Sequence, residues 1–458
     1  MRFAATKVVK PIHREVAMNI TRQLLAATPG RVRSSFDQVL GSRIGKLLER
    51  IGIGANKPAS GEGLLDLAGA LLSLRGRASG ASLASAFFEL YEASGMAARH
   101  EFLAQFHAQY PRDGDAIDRA IAQWQADRDG TAALKLQDAA ESPCQQLIRQ
   151  LNLAPNGTRR LLAMRSDLLD APIQSEHVKA LDAEFDDVFT SWFNAGFLEM
   201  RRIDWHSPAQ VLERIIQYEA VHSIQGWDDL RRRVEPVDRR CYGFFHPQMA
   251  DDPLIFVEVA LTAELPDAIH GIIAAERKVL DPRAANSAIF YSISNCQKGL
   301  RGIPFGNFLI KRVVELLRSE LPQLTRFATL SPVPGFARWL TTELDGRDVP
   351  AGDALRAEAA RYLLTAKARG GQVGDSVARF HLGNGARLEA VHAGADLSAN
   401  GLRQSHGVMV NYLYDLSEIE ANLFALVELG TVAASRPVQE LAEGEKPKSG
   451  GRKRSKAA

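Results

Sequence analysis

The sequence predicts an α+β protein of two parts, a helical one over 1–190 and a mixed strand-and-helix one over 191–440, with a basic tail at 441–458. Three observations carry this prediction. Leu- and Ala-rich segments with 3.6-residue periodicity fill the first part, and alternating strand candidates begin near residue 190. Residues 288–336 then set out a β run, a Gly-rich turn, an amphipathic helix and a second β run, which is the order of a βαβ unit.

In the first part, Leu83 to Tyr91, Phe102 to Tyr110 and Ile117 to Ala126 have helical spacing, with Gly and Pro breaks between the helical segments. No catalytic constellation appears there, so it reads as a packing and oligomerisation module. In the second part, Gly196 to Asp204 alternates as a strand does. Ile255 to Leu261 is apolar on both faces, as a buried strand is. Ala209 to Tyr218 and Ala354 to Ala368 read as helices, and Phe380 to Leu388 as a hairpin turning at Asn384-Gly385.

In the βαβ unit, Leu309, Val313, Leu316 and Leu317 keep helical spacing with Lys311, Arg312, Glu315 and Arg318 between them, so one face is expected to be buried. The first N–H groups of such a helix have no partner within it and sit at the positive end of its dipole, which suits an anion. Gly299, Gly302 and Gly306 would let the backbone come close, and Lys298 and Arg301 add positive charge. The spacing is neither a dinucleotide fingerprint nor a Walker loop, and a plain tight turn remains the alternative.

Two residues could carry proton or carbonyl chemistry. Ser331 ends the second β run before Pro332-Val-Pro334, a stiff exit that would fix its hydroxyl; the alternative is a Ser-Pro turn opener. His381 falls on the first strand of the expected hairpin, where a structural histidine is the alternative, although imidazole trades protons near neutral pH. A hydrolase pair is disfavoured because no G-x-S-x-G elbow occurs. Cys296, beside the Gly-rich turn, reads as a small buried filler, with a nucleophile as the alternative.

Composition bounds the class. The chain has 458 residues, 46% hydrophobic and 24% charged, as in an ordinary globular protein. Its net charge of +2 hides six basic side chains in 446–458, which leave the remainder at −4 and do not suit nucleic-acid binding. No apolar run reaches the length of a membrane span, and Cys144, Cys241 and Cys296 have no metal spacing. The expected setting is soluble and cytoplasmic, with the mitochondrial matrix left open by Arg22, Arg31 and Arg33.

The segments Ala288 to Lys311 and Phe327 to Phe336 closely resemble the malonyl-CoA decarboxylase family. Similar stretches are Ser191 to Phe197, Trp205 to Pro208, Arg239 to Tyr242, Pro253 to Thr262, Phe380 to Gly385 and Met409 to Tyr414, so the likeness runs through roughly 190–415. The resemblance implies a GNAT-like (acetyltransferase superfamily) catalytic domain that turns malonyl-CoA into acetyl-CoA and CO2 in fatty acid and malonate metabolism, with no metal or organic cofactor. It makes Ser331 and His381 catalytic, and assigns Tyr414, Asn411, Arg301, Gly302, Ile303, Phe305, Gly306 and Asn307 to substrate binding. It implies a homo-oligomer, dimer or tetramer, joined through the helical part. Pro304 departs from relatives that have an acidic residue there, and it removes one N–H from the turn. The alternatives are a CoA-dependent acyltransferase of the same fold and a non-catalytic CoA-binding scaffold.

Overall fold

Polar caps start four of the helices of the first part. The side chains of Asp113, Asp129, Ser142 and Ser175 accept the N–H groups of Ala116, Ala132, Gln145 and Val178, satisfying donors that a helix start leaves free. The computed structural model describes residues 61–73, 77–303, 309–368 and 371–443. Phe305, Gly306, Asn307, the first sixty residues and the tail from 444 lie outside them. Eight helices are described before residue 193: α1 (Gly61–Ser73), α2 (Arg77–Ala93), α3 (Met96–Gln109), α4 (Gly114–Asp127), α5 (Gly130–Ala140), α6 (Pro143–Leu151), α7 (Gly157–Leu169) and α8 (Glu176–Trp192). Phe87, Phe88, Phe102, Phe106, Phe185 and Phe189 interlock at their centre.

An eight-stranded sheet follows, in the order β1 (Glu199–Ile203), β2 (Arg239–Phe245), β3 (Ile255–Thr262), β4 (Ser287–Asn295), β5 (Arg326–Thr329), β8 (Met409–Leu413), β6 (Ser331–Pro332), with β7 (Arg387–His392) also on β8. The strand expected at Gly196 to Asp204 is confined to β1, after a helical turn at Ala195–Phe197. Helices α9 (Ala209–Tyr218) and α10 (Trp227–Val234) lie between β1 and β2. A helical part followed by a mixed-sheet part is the architecture expected. Among the described residues no helix is long and apolar enough to cross a membrane.

The βαβ unit is present. β4 pairs in parallel with β5, joined through α11 (Leu309–Glu320). The buried face of α11 is Leu309, Ile310, Val313, Val314 and Leu317, worth roughly 1.5–3 kcal/mol per large side chain. Leu316 corrects the expected face, since it is 38% exposed and its place is taken by Ile310 and Val314. Parallel pairing covers only Ser287↔Arg326 to Phe290↔Thr329. Beyond it Tyr291 to Asn295 continue along β3, while Ser331 and Pro332 pair with β8, so the sheet opens between the two. A bulge at Tyr291, between Phe290↔Val259 and Ser292↔Glu258, adds local twist beside the opening.

The expected hairpin at Asn384-Gly385 is not formed. Asp375 caps a short helix, and after α12 (Phe336–Leu344) and α13 (Gly352–Thr365) the chain forms α14 (Ser376–Leu382), so His381 is helical. Asn384-Gly385 ends that helix: Ala386 N donates to His381 O at 3.1 Å and Gly385 takes φ +79°. An Asn-Gly pair serves a helix C-terminus as well as a tight hairpin, and the side-chain cap at Asp375 decides between them. Three further helices, α15 (Ala399–Ser405), α16 (Ile419–Glu428) and α17 (Arg436–Glu443), end the described residues.

The two parts share one hydrophobic core, in which Phe185 and Leu162 belong with Phe290 and Leu309. Arg165 on α7, 1% exposed, is the polar tie between them. Its Nη1 donates to Gly299 O at 2.9 Å, its Nε to Asp182 at 2.8 Å and its Nη2 to Asp186 at 3.3 Å. A Cβ on Gly299 would lie 2.2 Å from Leu162 O, so this glycine answers to the helix beside it. Arg165→Met is expected to destabilise the protein by roughly 2–3 kcal/mol, because a buried carbonyl loses its donor while the two carboxylates stay partly hydrated. Urea unfolding checks this, and a midpoint equal to wild type would show that the tie contributes nothing.

Candidate active site

Ser331 and His381 meet, although one follows β5 and the other sits on α14. Ser331 Oγ lies 3.1 Å from His381 Nε2, and both residues are buried, at 5% and 3% exposure. On the far side of the ring, Nδ1 lies 2.8 Å from the Tyr414 hydroxyl. Tyr412 stacks on the imidazole with centroids 4.7 Å apart, which fixes the ring plane. Strand alternation explains the grouping, since Ser331 and Val410 are paired and Val410, Tyr412 and Tyr414 share one face.

Hydrogen-bond bookkeeping assigns the tautomer. Ser331 donates its one hydrogen to Thr329 Oγ1 at 2.9 Å, so Nε2–H must be the donor to Ser331 Oγ. Nδ1 is then a lone pair that accepts the Tyr414 hydroxyl. Burial depresses the imidazole to about 3, and it drives the Tyr414 phenol well above its ordinary range. The ring is therefore neutral at working pH. It has a hydroxyl behind it where a Ser-His-Asp triad has a carboxylate to support an imidazolium.

Asn411 is not brought into this group. Its side chain points to the opposite face, where Nδ2 donates to Thr329 O at 2.8 Å and Oδ1 meets His392 Nε2 at 2.6 Å. It braces the strand beneath the site. Ser292 and Ser294, from the half of β4 beyond the opening, donate to the buried Glu219 carboxylate, pinning that half from below. Thr329 and Tyr412 were not singled out in the sequence; Thr329 could have been found as the same-face residue two positions before Ser331.

At the Gly-rich turn, Arg301 N and Ile303 N are used within the turn, donating to Lys298 O and Leu300 O. Arg301 is exposed and Ile303 buried, and Gly302 takes φ +91°, a backbone that only glycine adopts without strain. Lys298 is paired with Asp170 of the helical part. Cys296 is buried, its thiol pushed well up by burial, as a packing residue's would be. Among the described residues no group of three or more His, Cys, Asp or Glu is placed to hold a metal.

Residues 196–351 and 351–451 match the malonyl-CoA decarboxylase C-terminal domain, and 110–193 match the malonyl-CoA decarboxylase N-terminal domain. The chain belongs to the malonyl-CoA decarboxylase family, whose members are carboxy-lyases. It is 34% identical over 346 residues to the mitochondrial malonyl-CoA decarboxylase of Mus musculus, covering 64% of this chain and 70% of that one. The crystal structure of malonyl-CoA decarboxylase from Rhodopseudomonas palustris is similar at 47% identity and TM-score 0.77, covering 83% of this chain and 99% of that one. That from Agrobacterium vitis is similar at 46% identity and TM-score 0.77 with the same coverage.

The burial of His381 has a thermodynamic consequence. Between about 3 and about 6.5, the unfolded chain binds a proton that the folded imidazole refuses. The stability from this site is full above the unfolded value and lost as pH falls below it. Asn at 381 cannot titrate, so the melting-temperature gap between wild type and His381→Asn is expected to narrow from pH 7.5 to pH 5. A gap that stays constant would mean the folded ring accepts the proton.

Proposed function

We propose that this chain decarboxylates malonyl-CoA to acetyl-CoA and CO2 through a thioester enolate, using Ser331, His381 and Tyr414 and requiring neither metal nor organic cofactor. The thioester carbonyl is itself the electron sink: as the bond to the carboxylate breaks, its electron pair forms the enolate and negative charge gathers on the carbonyl oxygen. Donors aimed at that oxygen in a dry site lower the barrier. The Ser331 hydroxyl, turned from Thr329 to the substrate, serves this role. His381 Nε2–H orients the malonyl group and delivers the proton to carbon while Tyr414 lends its proton to Nδ1; a solvent proton then restores Nε2–H as Nδ1 returns the borrowed proton to Tyr414. One solvent proton is consumed per turnover, which balances the reaction.

The observation that carries this reading is the neutral imidazole between two hydroxyls. A ring depressed to about 3 is a poor base, so it serves neither an acyltransferase that must deprotonate an amine nor a hydrolase that must form an imidazolium. A neutral imidazole donor is well matched to a strongly basic enolate. The opening between β4 and β6 suits the rest of the ligand. Tyr291 to Asn295 span roughly 13 Å at strand rise, the length scale of an extended pantetheine arm reaching from the Gly-rich turn to Ser331. We assign the phosphates to that turn, with Gly302 and the Arg301 side chain as the contributors among the described residues.

Incubation with malonyl-CoA, in chelator and without an acceptor, should yield CO2 and acetyl-CoA in equal amounts. His381→Asn is expected to lower kcat by about 10²–10⁴ and Ser331→Ala by about 10², with affinity for acetyl-CoA little changed. Wild-type turnover in His381→Asn would remove the histidine from the reaction, and a Ser331→Ala loss confined to KM would leave that serine as a binding residue only. Gly302→Val should weaken free CoA while sparing pantetheine substrates that lack the phosphates, because a β-branched residue cannot hold φ +91°. A folded Gly302→Val variant that binds free CoA as wild type does would dismiss the phosphate assignment.

A further inference from the structure

Ser331 and His381 lie on segments that have no local reason to stay in register, yet one buried side chain holds both. Asp375 Oδ1 accepts the N–H groups of Val377 at 2.9 Å and Ala378 at 3.0 Å, which starts the helix bearing His381. Its Oδ2 accepts the N–H of Gly335 at 2.9 Å, at the end of the Ser-Pro-Val-Pro-Gly stretch that begins with Ser331. Pro332 and Pro334 have no N–H, so that stretch offers few amides to grip, and Gly335 is one of them. A Cβ on Gly335 would lie 2.2 Å from the Tyr362 hydroxyl, and that hydroxyl also hydrogen-bonds Asp375. Asp375 is 1% exposed.

We propose that Asp375 is a positioning residue that sets the Ser331–His381 contact, one carboxylate oxygen holding the helix of the histidine and the other the loop of the serine. The proposal rests on the roles given to those two residues above. Capping alone does not explain an aspartate here. Serine or asparagine caps a helix start about as well, without the cost of a buried charge. Two forked acceptors are what the second tether adds. The residue acts through the 3.1 Å Oγ–Nε2 separation, so its loss changes the geometry of the reacting group, while the turn after β4 keeps its own hydrogen bonds from Arg301 N to Lys298 O and from Ile303 N to Leu300 O.

The test compares Asp375→Ser and Asp375→Asn, each of which keeps an acceptor for the helix start and gives up the tether to Gly335. Each variant is expected to melt cooperatively and bind acetyl-CoA as wild type does, with kcat lowered between roughly tenfold and a hundredfold and KM little changed, as for a small displacement of a reacting group. In the His381→Asn background the same substitution should lower kcat no further, since a residue that acts through His381 has nothing left to position. Asn serves if Ser fails to fold. Wild-type kcat in Asp375→Asn beside a crippled His381→Asn would overturn the clamp alone, as would an equal fall in both backgrounds. Wild-type kcat in His381→Asn itself would instead overturn the reading on which the clamp rests.

Discussion

The parallel contact between β4 and β5 is short, and its shortness organises the molecule. Four residue pairs join the strands; past Phe290 and Thr329, β4 stays on β3 alone and the chain after β5 stays on β8. An opening in the middle of a sheet leaves strand edges unpaired, which costs free energy unless a ligand or side chains supply the bonds. Here the cost is contained by local reinforcement. Glu219 gathers the Ser292 and Ser294 hydroxyls on one side, and Asn411 grips Thr329 O on the other. The two halves of the sheet are thereby braced where they part, with Ser331 near the start of the segment past the fork.

Burial then decides the chemistry of the residues at the fork. A histidine in water would be half protonated near neutrality and equally able to act as acid or base. Enclosed by Tyr412, Tyr414 and Ser331, with no carboxylate behind it, it is held neutral with a known tautomer. That arrangement donates well and accepts poorly. The same Ser-His pairing with a carboxylate at Nδ1 would favour nucleophilic attack by serine, so the identity of the third group, a phenol, separates this site from hydrolases built on the same two residues.

Much of the fold was legible because its signals are local. The βαβ unit, the buried strand Ile255–Thr262 and the helical first part follow from periodicity alone. His381 was legible through family likeness, but not its setting. Phe380-His-Leu reads as an alternating strand before Asn-Gly, and what makes it a helix is Asp375, whose cap satisfies two amides and a distant glycine. Leu316 was misplaced because the buried face of the helix is centred on Ile310, Val313, Val314 and Leu317, which leaves Leu316 at its edge. Tyr412 went unnoticed because its importance arises from stacking on His381, a helical residue thirty-one positions away.

Gly299 shows why a glycine-rich motif should not be read from one ligand alone. Three glycines at this turn suggested close approach of phosphate, and Gly302, with its left-handed backbone, is consistent with such a demand. Gly299 answers to another partner. Its carbonyl takes the Arg165 guanidinium, and the space for its side chain is filled by the backbone of α7 at Leu162. The neighbouring Lys298 is likewise engaged by Asp170 at the end of that helix. The helical part therefore forms one wall of the turn that enters α11, and with a core shared across both parts it belongs to the site's construction rather than standing beside it. A change on α7 can thus alter the turn without touching a ligand, by releasing the strand end from which the turn starts.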